Sequence, residues 1–229
     1  QQGSKVISSF QHPDVSQILM DTIKKKHAQI QWVAPIPQYC DLGINGEVQR
    51  KNAAVAQGAV QSLKRHGWNI DKKAIREGLA LAHWPGRLQS TSWQGLPFLV
   101  DGAHNPSAAE QLAKERNNWN QAGMGVQWVL GIQQHKEAPQ MLRYLIKPYD
   151  IAWIVPIPGH NSWSKLQLSK ACPELAKQLV QANEVEEVFY SLRIEKQWPA
   201  PPPVVTGSLY LIGDLLTRKV INNQIEKKL

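Results

Sequence analysis

The 229-residue chain contains only two cysteines, Cys40 and Cys172, and they lie far apart in the sequence. Their spacing matches no metal-ligand pattern, so we interpret both as buried or idle thiols. No apolar run has the length that a membrane span requires, and the N-terminus lacks the basic-then-apolar pattern of a secretion signal. We therefore expect a cytoplasmic protein that has no membrane partner.

A phosphate-binding loop of the form Gly-x-x-x-x-Gly-Lys-Ser/Thr is also missing, and the sequence contains no Gly-Lys pair. The sequence opens with Gln1-Gln2-Gly3 directly before a strand-like run, Val6–Ser9. An opening of this kind, inside a structural element, leads us to expect a fragment of a longer protein.

Acidic residues are fewer than basic ones, 18 against 26, and the net charge of +8 suits an anionic partner. Apart from the runs Lys24–Lys26 and Lys227–Lys228, the basic residues are scattered, which favours solvated helix faces over a nucleic-acid patch. No RNA-binding motif and no zinc-finger spacing accompanies them, so we expect no nucleic-acid partner. A hydrophobic content of 42% is that of an ordinary globular protein.

Helical and strand periodicities divide the chain into two parts. The first part has two strand-like runs and three helical stretches, with Asp14 and Asp71 as expected N-caps and Gly67 as an expected helix stop. The expected elements are strands 6–9 and 30–33, and helices from residue 14, from 49 to 66 and from 72 to 82.

From Trp93 onward, short apolar strands alternate with helices. This rhythm predicts an α/β domain of Rossmann-like type, with a mainly parallel sheet covered by helices on both faces. The expected strands are 98–100, 126–130, 151–155, 188–190 and 204–206, and the expected helices are 107–117, 138–146, 173–181 and 209–220. Such sheets bind ligands where their strands end, which directs attention to the loops 101–106, 131–137, 156–164 and 206–210.

The clearest local signal is Asp101-Gly102-Ala103-His104-Asn105-Pro106, directly after the strand 98–100. The glycine permits a close backbone turn, and Pro106 suits the first turn of a helix. The acid and the imidazole would then face the ligand edge. An equally weighted alternative is that Asp101 caps the helix and His104 only packs.

Two further signals precede it. Arg87, in Trp84-Pro85-Gly86-Arg87, is either a solvated turn residue or a guanidinium held to bind a nucleotide phosphate. Asn52, near a helix start, is most simply explained as a cap.

Taken in order, four strings resemble the folylpolyglutamate synthase and dihydrofolate synthase family of the Mur ligase superfamily. They are Gly46-x-x-Gln49-x-x-Asn52-Ala53-Ala54, Trp84-Pro85-Gly86-Arg87, Asp101-Gly102-Ala103-His104-Asn105-Pro106 and Gly207-Ser208-Leu209-Tyr210-Leu211-Ile212-Gly213-Asp214. The resemblance extends over nearly the whole chain. It implies three regions: 1–47, the tail of an ATPase domain; 48–92, a helical connection; and 93–229, the Rossmann-like C-terminal ligase domain.

The resemblance implies a monomeric ATP-dependent ligase that joins L-glutamate to folate or dihydropteroate through an acyl phosphate. It implies that Asn52, Arg87 and Asp101 contact ATP, and that His104 and Ser208 lie near glutamate. Magnesium and its ligands would belong to a part that this sequence does not contain, and no metal ligand is expected here.

The sequence departs from the family pattern in two places. An Asp-Lys-Asp string is replaced by His135-Lys136-Glu137, so Lys136 keeps a possible role toward phosphate or glutamate while its acidic neighbours change. Val48 stands where relatives often have histidine.

Two other functions remain open at this point. A nucleotide- or folate-binding module without ligase activity would fit the missing phosphate-binding loop. A Mur peptide ligase is disfavoured because those enzymes have Asp-Tyr-Ala-His-Asn-Pro in place of Asp-Gly-Ala-His-Asn-Pro.

Overall fold

The computed structural model describes residues 3–119, 125–194 and 198–221. The chain divides into two units, Gln1–Trp84 and Pro85–Leu229, and each unit contains its own sheet. Within the described ranges, no helix combines the length and the apolar character needed to cross a membrane.

The first unit begins with a strand–helix–strand motif. Its elements are β1 (Lys5–Ser9), α1 (Pro13–Lys25) and β2 (Gln29–Val33). The strands pair in parallel, with Val6 opposite Ile30, and α1 is the crossover that a parallel pair requires. The prediction that Asp14 caps α1 is wrong. The cap position is His12, and Asp14 lies in the first turn, where its negative charge suits the helix N-terminus.

Two more helices complete this unit. They are α2 (Glu47–Ser62), which a 3₁₀ turn (Leu63–His66) continues, and α3 (Lys72–Leu81). The predicted helix signals are confirmed: Gly67 has a left-handed φ of 85°, and Asp71 accepts a 2.6 Å hydrogen bond from the Ala74 amide. Ala53 and Ala54 of α2 are buried in a small core with Ile36.

The second unit contains a six-stranded sheet in the order β3-β4-β8-β5-β6-β7. The strands are β3 (Gln89–Trp93), β4 (Leu96–Val100), β5 (Gln127–Leu130), β6 (Ile151–Ile154), β7 (Leu179–Gln181) and β8 (Val204–Thr206). All neighbours pair in parallel except β3, which is antiparallel to β4. The predicted mainly parallel sheet is confirmed. The hairpin strand β3 was not predicted. It belongs to the second unit, which begins at Pro85.

Helices cover both faces of this sheet, as predicted. They are α4 (Pro106–Glu115), α5 (Ala138–Leu145), α6 (Lys165–Ala171), α7 (Val185–Ile194) and α8 (Leu209–Thr217). One core cluster joins α4, α5 and α6 to the sheet, and a second joins α7 and α8. Strand residues alternate between them: Trp128 and Leu130 belong to the first cluster, and Val129 to the second.

Two predicted elements between β6 and β8 are wrong, and a third was missed. The expected helix 173–181 is a 3₁₀ turn (Pro173–Gln178) followed by β7, and the expected strand 188–190 lies inside α7. The helix α6 was not predicted. Short apolar runs fit either period, and pairing of β7 with β6 decides the assignment.

Candidate ligand site at the carboxyl edge of the sheet

The strand order produces a topological switch point, where open α/β sheets form a ligand crevice, at the carboxyl ends of β4, β8 and β5. The helices that follow β4 and β5 pack on one face of the sheet, whereas the helix that follows β8 packs on the other. Because β8 lies between β4 and β5, the chain leaves neighbouring strands in opposite directions at this point. Open α/β sheets bind ligands at such a switch point. The strand-end loops predicted from the sequence meet here.

Backbone hydrogen bonds hold the three strand-end loops close together. The Gly207 amide donates to the Ala103 carbonyl at 3.0 Å, and the Gly131 amide donates to the Thr206 carbonyl at 3.2 Å. Gly207 has a φ of 107°, and a Cβ atom there would lie 2.6 Å from the Gly131 oxygen. Only glycine fits this position. His104 directly follows Ala103, and Ser208 directly follows Gly207. The hydrogen bond between Ala103 and Gly207 therefore brings the two residues that were predicted to lie near glutamate to adjoining loops.

Asp101 connects the Arg87 turn to the loop after β4. One carboxylate oxygen accepts a 2.9 Å hydrogen bond from the Leu88 amide, and the other accepts one of the same length from the Ala103 amide. Burial raises the pKa of Asp101, while these two hydrogen bonds and the charge of Arg87 oppose the rise. In its own loop, the Gly102 amide donates to the Gly86 carbonyl at 2.7 Å. Asp101 therefore fixes the turn that carries Arg87.

The Arg87 side chain is half-buried, and it forms no hydrogen bond or ion pair with any residue in the described part of the chain. Five guanidinium N–H donors are thus available on a turn that Asp101 anchors. The planar guanidinium can donate two parallel hydrogen bonds to oxygens of an anionic acceptor such as a phosphate group.

His104 is half-buried, and its Nδ1 lies 2.8 Å from the Gly102 carbonyl. Since a carbonyl can only accept, Nδ1 carries the proton and Nε2 remains as the acceptor of the neutral ring. The helix cap is Asn105, whose side chain accepts a 2.9 Å bond from the Ala108 amide. The alternative that Asp101 caps α4 is therefore wrong.

Ser208 is the N-cap of α8. Its hydroxyl accepts a 3.1 Å hydrogen bond from the Tyr210 amide, and the residue is only 2% exposed. Capping is thus an observed role of Ser208, and contact with glutamate stays a prediction.

The loop that contains Lys136 follows β5, and hydrogen bonds join it to the loop after β6. The loops after β5 and β6 are joined by a bond from the Gln134 amide to the Asn161 carbonyl at 3.0 Å. The Trp163 indole also donates to the Lys136 carbonyl at 3.1 Å. Lys136 is half-buried, and across the described ranges its ammonium group has no ion-pair partner. Its position at the strand edge agrees with a role toward an anion, which stays a prediction.

Asn52 belongs to the first unit and is not a helix cap. It lies inside α2, where Gly46 occupies the cap position, and its amide donates to the Gln49 side-chain oxygen at 3.0 Å. The side chains of Gln49 and Asn52 both line a cavity of about 170 Å³. The other lining residues are mainly apolar: Leu42, Ile44, Ala53, Ala56, Leu79 and Ala82.

His160 and Tyr210 were not predicted as site residues. Their ring centroids lie 4.1 Å apart at the carboxyl edge, His160 in the loop after β6 and Tyr210 in the first turn of α8. The only sequence signal for His160 was its place in a strand-end loop.

The described residues contain no group of three or more His, Cys, Asp or Glu side chains placed to hold a metal ion. The acids around Arg218 are instead engaged in ion pairs with that arginine.

Residues 86–218 match the family model described as "Dihydrofolate synthetase, C-terminal domain". The folylpolyglutamate synthase of Lacticaseibacillus casei is 30% identical over 72% of this chain and 37% of that protein. The dihydrofolate synthetase of Saccharomyces cerevisiae is 31% identical over 76% of this chain and 44% of that protein. The bifunctional folylpolyglutamate synthase/dihydrofolate synthase of Yersinia pestis, solved with AMPPNP and a Mn ion, superimposes with a TM-score of 0.72 at 22% identity. That match covers 95% of this chain and 54% of that one.

The sheet order and the helices on both faces define a Rossmann-like α/β domain. The chain belongs to the folylpolyglutamate synthase and dihydrofolate synthase family, whose C-terminal domain it contains. It spans less than half the length of the two curated relatives compared above.

Proposed function

We propose that this chain is the C-terminal part of an ATP-dependent ligase that joins L-glutamate to folate, to dihydropteroate, or to both. One observation carries the proposal. The two most family-like strings, around His104 and Ser208, lie at adjoining strand ends, and the Gly207–Ala103 hydrogen bond joins their loops.

The proposed reaction has two steps. The carboxylate of the folate or pteroate attacks the γ-phosphorus of ATP, which forms an acyl phosphate and releases ADP. The amino group of glutamate then attacks the acyl carbon, an amide forms, and inorganic phosphate leaves. Positioning and charge neutralisation provide most of the rate enhancement in phosphoryl transfer.

Each unit has residues with the chemistry to contact part of a nucleotide. In the second unit, the guanidinium of Arg87 is free to bind phosphate oxygens. In the first unit, the largely apolar cavity with the Asn52 and Gln49 amides on its wall suits a flat base with polar edges. Asp101 supports the nucleotide indirectly by anchoring the Arg87 turn.

The first unit supports the proposal that residues 1–47 are the tail of a larger ATPase domain. Two parallel strands form its entire described sheet, and parallel sheets are normally wider and covered on both faces. On α1, the apolar residues Val15, Ile18 and Met20 are exposed. A larger domain would cover such surfaces and would contain the phosphate-binding loop and the magnesium ligands. We keep the predictions that the ligase is monomeric and cytoplasmic.

Replacement of Arg87 in the complete ligase tests the proposal. We expect Arg87→Ala to raise the KM for ATP at least about tenfold and to change the KM for glutamate much less, because a hydrogen bond to a charged group contributes roughly 1.5–3 kcal/mol. Glutamate-dependent ADP release, measured with dihydropteroate and with reduced folate, gives both constants and identifies the accepted substrate.

Arg193→Ala is the matched control. Arg193 lies near the C-terminus of α7, and its guanidinium donates to Gln94 in the β3–β4 turn, at the amino edge of the parallel strands. Its loss should leave both constants near wild type. An Arg87→Ala enzyme with unchanged ATP dependence would show that Arg87 is a turn residue. A wild-type protein that binds nucleotide or folate without releasing ADP would favour the binding module.

A further inference from the structure

His160 is held at the carboxyl edge by its own turn and by a neighbouring loop. It follows β6 in a tight turn, where Gly159 has a φ of 72° and the His160 amide donates to the Ile157 carbonyl at 3.0 Å. The next residue, Asn161, accepts the hydrogen bond from Gln134 that joins this loop to the loop after β5. The backbone position of His160 is therefore well defined.

The imidazole is in contact with two side chains from different loops. The Tyr210 ring lies at a centroid distance of 4.1 Å with a 40° tilt, and the Gln133 amide nitrogen lies 3.5 Å from Nδ1. An amide N–H directed at Nδ1 leaves Nε2–H as the free donor of the neutral ring. Two elements thus orient a hydrogen-bond donor at the ligand edge.

This contact does not belong to a hydrophobic core. Tyr210 is 57% exposed and His160 is also exposed, whereas a ring pair that stabilises a core would be buried. Exposed rings gain little from area burial. Their contact at the carboxyl edge is better explained by a role toward a ligand than by core packing.

His160 lies after β6, at the side of the carboxyl edge away from Arg87 and Asp101. The strand order places β8 and β5 between β4 and β6, so the ends of β4 and β6 are roughly 14 Å apart at a spacing of about 4.8 Å per strand. Ser208 and Lys136 belong to the loops in between. A hydrogen-bond donor on this side of the sheet edge is suited to the incoming amino acid, whereas Arg87 on the other side is suited to the nucleotide phosphate.

We propose that His160, supported by the Tyr210 ring, binds a carboxylate of the incoming amino acid and contributes to the selection of glutamate. This inference rests on the ligase function proposed above. Nε2–H donates to a carboxylate oxygen, and the tyrosine ring holds the imidazole in the required orientation. His160 thereby adds a recognition element to His104, Ser208 and Lys136.

Steady-state kinetics of His160 variants in the complete ligase test the proposal. We expect His160→Ala to raise the KM for glutamate at least about tenfold, as for loss of a hydrogen bond to a charged group, with the ATP KM within about twofold of wild type. Tyr210→Ala should have the same effect because the imidazole loses its support. Tyr210→Phe keeps the ring and should remain near wild type.

Two substitutions serve as controls. His66→Ala removes an exposed histidine from the first unit, and Tyr149→Ala removes a tyrosine that is 86% exposed in the turn before β6, at the opposite edge of the sheet. Both should leave the glutamate KM unchanged. Melting temperatures of all variants separate a loss of folding from a loss of binding.

Two amides of glutamate identify which carboxylate His160 binds. Glutamine lacks the γ-carboxylate, and isoglutamine lacks the α-carboxylate. If His160 binds the γ-carboxylate, wild type and His160→Ala should use glutamine equally poorly. If His160 binds the α-carboxylate, the two proteins should use isoglutamine equally poorly. If His160→Ala weakens the use of both amides as much as that of glutamate, carboxylate recognition by His160 is overturned.

Calorimetric titration of glutamate in the presence of AMPPNP separates this inference from the proposed function. If the protein binds glutamate with a Kd that depends on His160 but forms no amide, the proposed reaction is contradicted and the binding role of His160 stands. A glutamate KM or Kd of His160→Ala within twofold of wild type in an active enzyme would refute the inference alone. Absence of glutamate binding by the wild type would refute it as well.

Discussion

At the scale of single residues, the side chains of the candidate site shape the loops that carry them. Asp101 uses both carboxylate oxygens to bind backbone amides, so its observed role is to support the Arg87 turn. Ser208 uses its hydroxyl to cap α8. His104 uses Nδ1 for its own loop and keeps Nε2 for another partner. Of these three, His104 has the most evident capacity to contact a substrate.

We expect His104→Ala and Ser208→Ala to raise the KM for glutamate about tenfold in the complete ligase, with the ATP KM nearly unchanged. A neutral imidazole or a hydroxyl can orient an ammonium or carboxylate group but adds little to γ-phosphate transfer. Ser208→Ala should also lower the free energy of unfolding by about 1 kcal/mol through loss of the cap.

Asp71→Ala is the control for the cap, because Asp71 caps α3 in the first unit through a single bond to the Ala74 amide. It should cause a similar loss of stability without any change in the glutamate KM. If the His104 and Ser208 variants lose stability but retain the wild-type glutamate KM, both residues are structural.

At the scale of elements, glycines allow the strand ends to meet. A Cβ at Gly102 would lie 2.5 Å from the Leu209 side chain, and one at Gly131 would lie 3.0 Å from that of Leu211. At Gly207 the obstacle is backbone, since the Gly131 carbonyl cannot move without disturbing β5. Close approach at the carboxyl edge thus depends on these three positions.

We therefore expect Gly207→Ala to lower the free energy of unfolding by roughly 2 kcal/mol or more, because it combines a positive φ with a backbone clash. Gly213→Ala is the matched control, since Gly213 is helical and nothing lies within 4 Å of the added Cβ. It should be neutral or slightly stabilising. Chemical denaturation measures both, and a Gly207→Ala protein as stable as Gly213→Ala would contradict the close packing.

At the scale of the whole molecule, the residues that are proposed to contact the nucleotide are divided between the two units. Asn52 and its cavity belong to the first unit, whereas Arg87 and the carboxyl-edge loops belong to the second. Neither unit has a phosphate-binding loop in its sequence, and the described residues offer no metal-ligand cluster. In the proposed ligase, we expect the groups that supply most of the phosphoryl-transfer stabilisation in the part of the protein that this chain does not span.

The purified 229-residue chain should show no glutamate-dependent release of ADP, whereas the complete ligase should show it under the same conditions. A coupled assay for ADP, with and without glutamate, measures the difference. Activity of the chain alone above a heat-inactivated sample would mean that phosphate and magnesium are bound by residues other than those expected.

The sequence by itself determined the features that depend on local interactions. The stop at Gly67 and the cap at Asp71 follow from the conformational freedom of glycine and from a hydrogen bond between residues three apart. Alternating strands and helices were sufficient for the α/β class, and the strings around Asp101 and Ser208 were sufficient for the family.

Only the tertiary structure decided the features that depend on contacts distant in sequence. The polar segment Gln89–Trp93 is a strand because β4 pairs with it, and Leu179–Gln181 is a strand because β6 does. The contact of His160 with Tyr210 exists because β8 inserts between β4 and β5 and brings α8 to the loop after β6. Short segments satisfy both periodicities almost equally well, so pairing and packing energies, which local sequence does not encode, select between them.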